Sequence, residues 1–131
     1  MNPTYVMNIE PQRCLLRITM SGFFGLSDVS ALEADRRAAL ARLGCARNTH
    51  YTLVDVSACK LQPQDVVRAF EGSLSDTRFM SRRIAFVTGS SLARMQVRRM
   101  IKREDSHFFD TVEAAEAWLF EPVPMPMRAF G

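Results

Sequence analysis

Three cysteines, six prolines and six glycines in 131 residues are too few to carry a disulfide scaffold, a collagen-like repeat or a low-complexity chain. An apolar fraction of 47% excludes a disordered chain. No apolar run approaches the ~20 residues of a membrane span. Met1-Asn2-Pro3-Thr4-Tyr5-Val6-Met7 lacks the basic stretch and apolar core of a secretory leader. Cys14, Cys45 and Cys59 are odd in number and widely spaced, without C-x-x-C, so neither a disulfide framework nor a thiolate metal cage is indicated. The cytoplasm is the expected compartment. His50 and His107 stand apart from other ligand-type side chains, so no metal is expected and each reads as a packing or capping residue. Phosphate-binding glycine loops and the G-x-S-x-G elbow are absent, and Asp55, Ser57 and Ser90 make no triad without a placed histidine. No cofactor and no catalytic residue is expected.

What is present reads as one α/β domain over residues 1–121 with a Pro/Met-rich tail at 122–131. Tyr5–Glu10 and Arg13–Met20 form extended runs around the short Glu10-Pro11-Gln12 turn, predicting an antiparallel hairpin. Leu26, Val29, Leu32, Ala39, Leu40 and Leu43 recur at helical spacing, with Ser27 as the expected N-cap and Gly44 just past the end. Tyr51–Val56 is too apolar for a surface strand and reads as central. A helix from Pro63, a strand over Ile84–Thr88, a helix over Leu92–Arg103, a short strand at His107–Phe109 and a helix capped by Asp110 complete the order β-β-α-β-α-β-α-β-α. Alternating strands and helices imply right-handed crossovers and a mainly parallel mixed sheet of about five strands with four helices.

This order, the Ser21-Gly22-Phe23-Phe24 stretch, the Asp55-Val56-Ser57 strand end, Gly89-Ser90-Ser91-Leu92-Ala93-Arg94-Met95-Gln96 and the run from Phe108-Phe109-Asp110 to Trp118-Leu119 resemble the STAS domains of bacterial anti-sigma factor antagonists, and within them the divergent SpoIIAA-like proteins. The resemblance covers about Tyr5 to Phe120. It implies a SpoIIAA-like fold and a regulatory, non-enzymatic role in docking a protein partner. Phosphorylatable members carry Asp-Ser-Ser/Thr-Gly after the Asp-x-Ser strand end. Laid on without gaps, this chain has Pro63, Gln64, Asp65 and Val66 there. Gln64 cannot accept phosphate, and Asp65 places a fixed charge where the helix dipole favours one. Asp65 reads as an ordinary first-turn acid, with a permanent phosphate mimic as the functional alternative.

Fifteen of the seventeen cations are arginine, against 14 acids, and the net charge is only +3. Arg94, Arg98 and Lys102 repeat at i, i+4 and i+8, a row read as a solvated face or as a surface for an acidic partner. No aromatic interleaves them, so nucleic acid is not an expected partner. Gly89-Ser90-Ser91 joins a strand to that helix, so Ser57, Ser90, Ser91 and Arg94 are a candidate site for a small anionic or lipid-like ligand, with Phe23 or Phe24 as its apolar cover. The docking candidates are Asp55, Ser57, Gln64, Asp65, Ser90, Ser91, Arg94 and Arg98. A homodimer is expected either through Met125, Met127 and Phe130 or along an edge strand.

Overall fold

A computed structural model describes residues 2–100 and 106–122. Its elements follow the expected order: β1 (Thr4–Glu10), β2 (Leu15–Gly22), α1 (Leu26–Leu43), β3 (Tyr51–Cys59), α2 (Gln64–Leu74), β4 (Arg83–Val87), α3 (Ser91–Met100), β5 (Ser106–Phe109) and α4 (Val112–Leu119). The strands lie in one sheet in chain order, β1 antiparallel to β2 and the other neighbours parallel. Lys102, Arg103 and the Met125, Met127 and Phe130 proposed for a dimer lie outside the described residues.

Period-two alternation sorts the side chains to two faces. Leu16, Ile18 and Met20 of β2, Val54 and Val56 of β3 and Ile84 and Phe86 of β4 form one core with Val29, Leu32 and Ala39 of α1, Val66 of α2 and Val97 of α3. Leu15, Leu53, Ala85 and Val87 point the other way and pack on Ala115 and Leu119 of α4. Arg17, on that second face, is held by Glu10 at 2.8 Å and by Glu116 of α4 at 2.6 Å. Hydrogen bonds from Arg17 and then Arg13 keep both carboxyls below their usual range. β1 is an edge strand, and the Tyr5 hydroxyl ties it to α1 by donating to Asp35 Oδ2 at 2.5 Å. That bond raises the Tyr5 hydroxyl to about 12.

The structure corrects four expectations. Cys14 and Cys45 are disulfide-bonded across 31 residues of chain. Wide spacing argued against pairing, but Cys14 follows a tight turn into β2 in the left-handed conformation (φ 50°), and Cys45 follows the Gly44 cap of α1, so both reach one end of the domain. The bond removes the cysteine argument for a cytoplasmic compartment, since disulfides persist in oxidising ones. The α1 cap is Gly25, not Ser27: Asp28 Oδ2 accepts from the Gly25 backbone N–H at 2.8 Å, which leaves Ser27 inside the helix. The α4 cap is Thr111, not Asp110, with its hydroxyl accepting from Ala114 N at 3.1 Å. Cys59 is the last residue of β3 rather than part of a loop, because a register shift between Thr19 and Ser21 lets β2 pair as far as Gly22 with Cys59.

No described helix is long and apolar enough to cross a membrane. His50 is buried and shares a hydrogen bond with Ser81 Oγ at 3.0 Å, while His107 stacks on Trp118 with ring centres 4.6 Å apart. Both are therefore packing residues.

Candidate functional site

Parallel pairing brings the ends of β2, β3, β4 and β5, and the starts of all four helices, to one edge of the sheet. The strand order never reverses, so the crevice that binds ligands at a switch point in open α/β sheets does not form here. The loops instead fold over one another. Lys60 N donates to Gly22 O at 3.0 Å, joining the ends of β2 and β3. Gly89 packs so closely on Ser57 that a Cβ there would lie 2.6 Å from Ser57 O.

Gln62 locks this edge. Its Oε1 accepts from Phe24 N at 2.8 Å, its Nε2 donates to Gly22 O at 3.1 Å, and its backbone exchanges two 2.9 Å bonds with the Gln96 side chain of α3. One glutamine thus fixes the loop after β2, the loop after β3 and α3. The residues beside these anchors point outward. Phe23, Leu26, Leu61, Leu92 and Met95 are 46–61% exposed. They make up most of the large apolar side chains exposed among the described residues, and all sit in the loops before α1 and α2 or in the first two turns of α1 and α3. Phe24, by contrast, is buried and closes the core.

The polar candidates are arranged as follows. Asp55 Oδ1 accepts from Ser57 N at 3.0 Å and from Ser57 Oγ at 2.6 Å, so these two act as a unit beside Gly89. Ser90 caps α3 by accepting from Ala93 N at 3.1 Å. Arg94 pairs with Asp110 at 2.7 Å, and the Arg98 guanidinium lies 5.5 Å from the Phe108 ring centre. Ser91, Arg98 and Arg99 are exposed on α3 around Leu92 and Met95. Gln64 and Asp65 are exposed in the first turn of α2, where Asp65 Oδ1 accepts from Val66 N at 2.8 Å. Ser57 and Ser90 are thus neighbours through Gly89, whereas the Ser90 hydroxyl and the Arg94 guanidinium are engaged within the protein rather than converging on a common point.

Cys59 lies among these loops, and burial raises its thiol from 9.0 to about 11, with the Asp55 charge adding to the rise. The thiolate is the reactive form, so at pH 8 Cys59 is expected to react with iodoacetamide about 100-fold more slowly than in the denatured chain. Mass-resolved alkylation rates check this; equal rates would contradict it. Among the described residues, no group of three or more His, Cys, Asp or Glu is placed to hold a metal ion.

Between the sheet and α1–α3 lies a cavity of about 110 Å³, with Lys60, Gln62 and Gln96 among its lining. Nothing in the sequence marked it, nor Gln62, Gln96, Leu61, Leu92 or Met95 as parts of one surface. The available signal was Leu92 and Met95 three residues apart on the face of α3 opposite Val97.

Neither a protein-family profile nor a curated protein matches this sequence. Among solved structures, an uncharacterized protein of the DUF3478 family with a SpoIIAA-like fold, from Shewanella loihica PV-4, superposes with a TM-score of 0.68 at 15% identity, covering 89% of this chain and 93% of that one. This chain has the SpoIIAA-like fold. An anti-sigma factor antagonist from Mycobacterium paratuberculosis shares it at a TM-score of 0.57 and 12% identity, over 90% of this chain and 94% of its own. In this SpoIIAA-like domain the edge built by Gln62 lies where the strands end and the helices begin.

Proposed function

We propose that this SpoIIAA-like protein is a non-enzymatic regulatory module that docks a protein partner on the strand-end edge. The observation that carries this reading is the exposure of Phe23, Leu26, Leu61, Leu92 and Met95 on the loops and helix starts of the edge that Gln62 ties together. Exposed apolar side chains scattered singly need no explanation, but a cluster rimmed by polar groups is a mark of an interaction site. Its rim carries charges of both signs, with Lys60, Arg98 and Arg99 exposed beside Asp65 and Asp110, so the partner's complementary face carries apolar side chains ringed by mixed charges. Asp55 and Ser57 near the end of β3, Ser90 in the β4–α3 turn, and Gln64, Asp65 and Ser91 in the first turns of α2 and α3 supply polar rim contacts.

Regulation by phosphate addition at position 64 has no acceptor, so occupancy of this surface is set by the partner's concentration or by another signal. The family likeness in fold to an anti-sigma factor antagonist supports a protein partner over a substrate. Leu92→Asp combined with Met95→Asp tests the assignment. Both side chains are exposed, so the variant is expected to keep the wild-type melting temperature while losing partner binding at least 30-fold. Retained binding by the folded double variant would place the interface elsewhere.

A further inference from the structure

We propose that the cavity between the sheet and α1–α3 is a binding site for a small neutral apolar molecule of about one aromatic ring or a short alkyl chain. Ile18 and Met20 of β2, Val54 and Val56 of β3, Phe86 of β4 and Phe70 of α2 are among the apolar side chains of its wall. Its volume of about 110 Å³ is several times what one water needs, and engineered apolar cavities of about 150 Å³ stay dry and take up benzene.

The polar groups around Glu33 and Arg36 at its margin are already paired, which favours a neutral ligand there. Arg36 gives Nε and Nη2 to the two oxygens of Glu33, at 2.6 and 2.9 Å, and Nη1 to Phe79 O at 3.2 Å. Burial pushes the Glu33 carboxyl up, but the Arg36 bond and charge outweigh it and hold it below its usual range, so this margin carries a closed ion pair rather than an unmatched cation. Thr52 and Ser81 share a 2.5 Å hydrogen bond. Thr88 Oγ1, the buried side-chain polar atom without a partner among the described residues, is not in the wall. An anionic ligand seated against Arg36 would have to break the Glu33–Arg36 pair, whereas a hydrocarbon there breaks nothing; Lys60, also in the lining, is exposed to solvent.

Lys60, Gln62 and Gln96 also line the cavity, so one part of it lies beside the clasp between the β3–α2 loop and α3. Leu61 and Met95, which flank that clasp, belong to the docking edge, so a bound molecule and a docked partner touch the same hinge of polar contacts. The site is nonetheless independent of the docking assignment, since its test uses the protein alone.

Titration of the isotope-labelled protein with toluene and indole, followed by amide chemical shifts, tests the site. The expected result is saturable one-to-one binding with shifts centred on Val54, Val56, Phe86 and Val97, and at least tenfold weaker binding of benzoate. Ala93→Leu and Cys59→Leu fill the cavity from α3 and from the end of β3. Each is expected to weaken toluene binding at least tenfold while holding or raising the melting temperature. Two variants are used so that one failing to fold leaves the other decisive. Shifts that never saturate, that centre on exposed Phe23 and Leu92, or that persist in a folded filled variant would overturn the site, and benzoate binding as tight as toluene would overturn its neutral character.

Discussion

Replacing Cys14 and Cys45 together by serine is expected to lower the free energy of unfolding by about 3–4 kcal/mol, or the melting temperature by about 10–15 °C. The bond closes a loop over a sequence separation of 31 that contains β2 and α1, the two elements that carry much of the main core. Closing a loop of that length restricts the unfolded chain most where it would otherwise be free to separate the end of α1 from the start of β2. Serine keeps the left-handed backbone of Cys14 as costly as before, so the comparison isolates the cross-link. Chemical denaturation of the variant beside the native chain provides the check, with the unreduced native chain expected to weigh two hydrogens less than its reduced form. An unchanged unfolding midpoint would mean that the pair contributes nothing to the native state.

A second large effect is expected at Gly89. An alanine Cβ would sit 2.6 Å from Ser57 O and 3.3 Å from Ser57 Cα, both backbone atoms of the central strand β3. Neither can rotate away, so the β4–α3 turn must move, at a cost of about 2 kcal/mol. That motion also carries α3 away from Gln62, so Gly89→Ala is expected to weaken partner docking as well as stability. Gly72 is the matched contrast. It lies inside α2 with nothing within 4 Å of its would-be Cβ, and alanine there is expected to stabilise by about 0.5–1 kcal/mol through helix propensity. Equal, neutral effects at the two positions would contradict the close packing of the strand-end loops.

The fold was legible because it rests on periodicity. Leu16, Ile18 and Met20 alternate with polar neighbours, and Val29, Leu32, Ala39 and Leu43 keep helical spacing, so element type and order follow from the pattern alone. Boundaries depend on competition among neighbours and were less so. Gly25 displaced Ser27, two residues on, as a cap because Asp28 sits at the right offset to reach back to it, and a one-residue ambiguity separated Thr111 from Asp110. The Cys14–Cys45 bond was hidden because proximity in space is set by the turn before β2 and the end of α1, not by spacing along the chain.

The site divides in the same way. Asp55, Ser57 and Ser90 were placed at one edge by topology, and they lie there. The roles of their neighbours turn on side-chain hydrogen bonds across the fold, such as Gln62 with Gln96 over 34 residues, which no local pattern encodes. Arg94, read from sequence as part of a free cationic row, is paired with Asp110 sixteen residues on, and the exposed face of α3 belongs to Leu92, Met95, Arg98 and Arg99 instead. The cavity is a volume left over by packing, and a sequence read one residue at a time carries no measure of it.

The most direct test of the docking surface is site-specific photo-crosslinking in the protein's own host. A benzophenone side chain is placed at Leu92, at Leu61 and, as a control, at Val6, which is 58% exposed on the edge strand far in sequence from the Gln62 clasp. The account predicts one discrete protein adduct shared by positions 92 and 61, absent at position 6 and lost when Met95→Asp is added. The same adduct at position 6, or none at 92 and 61 while position 6 reacts, would contradict it.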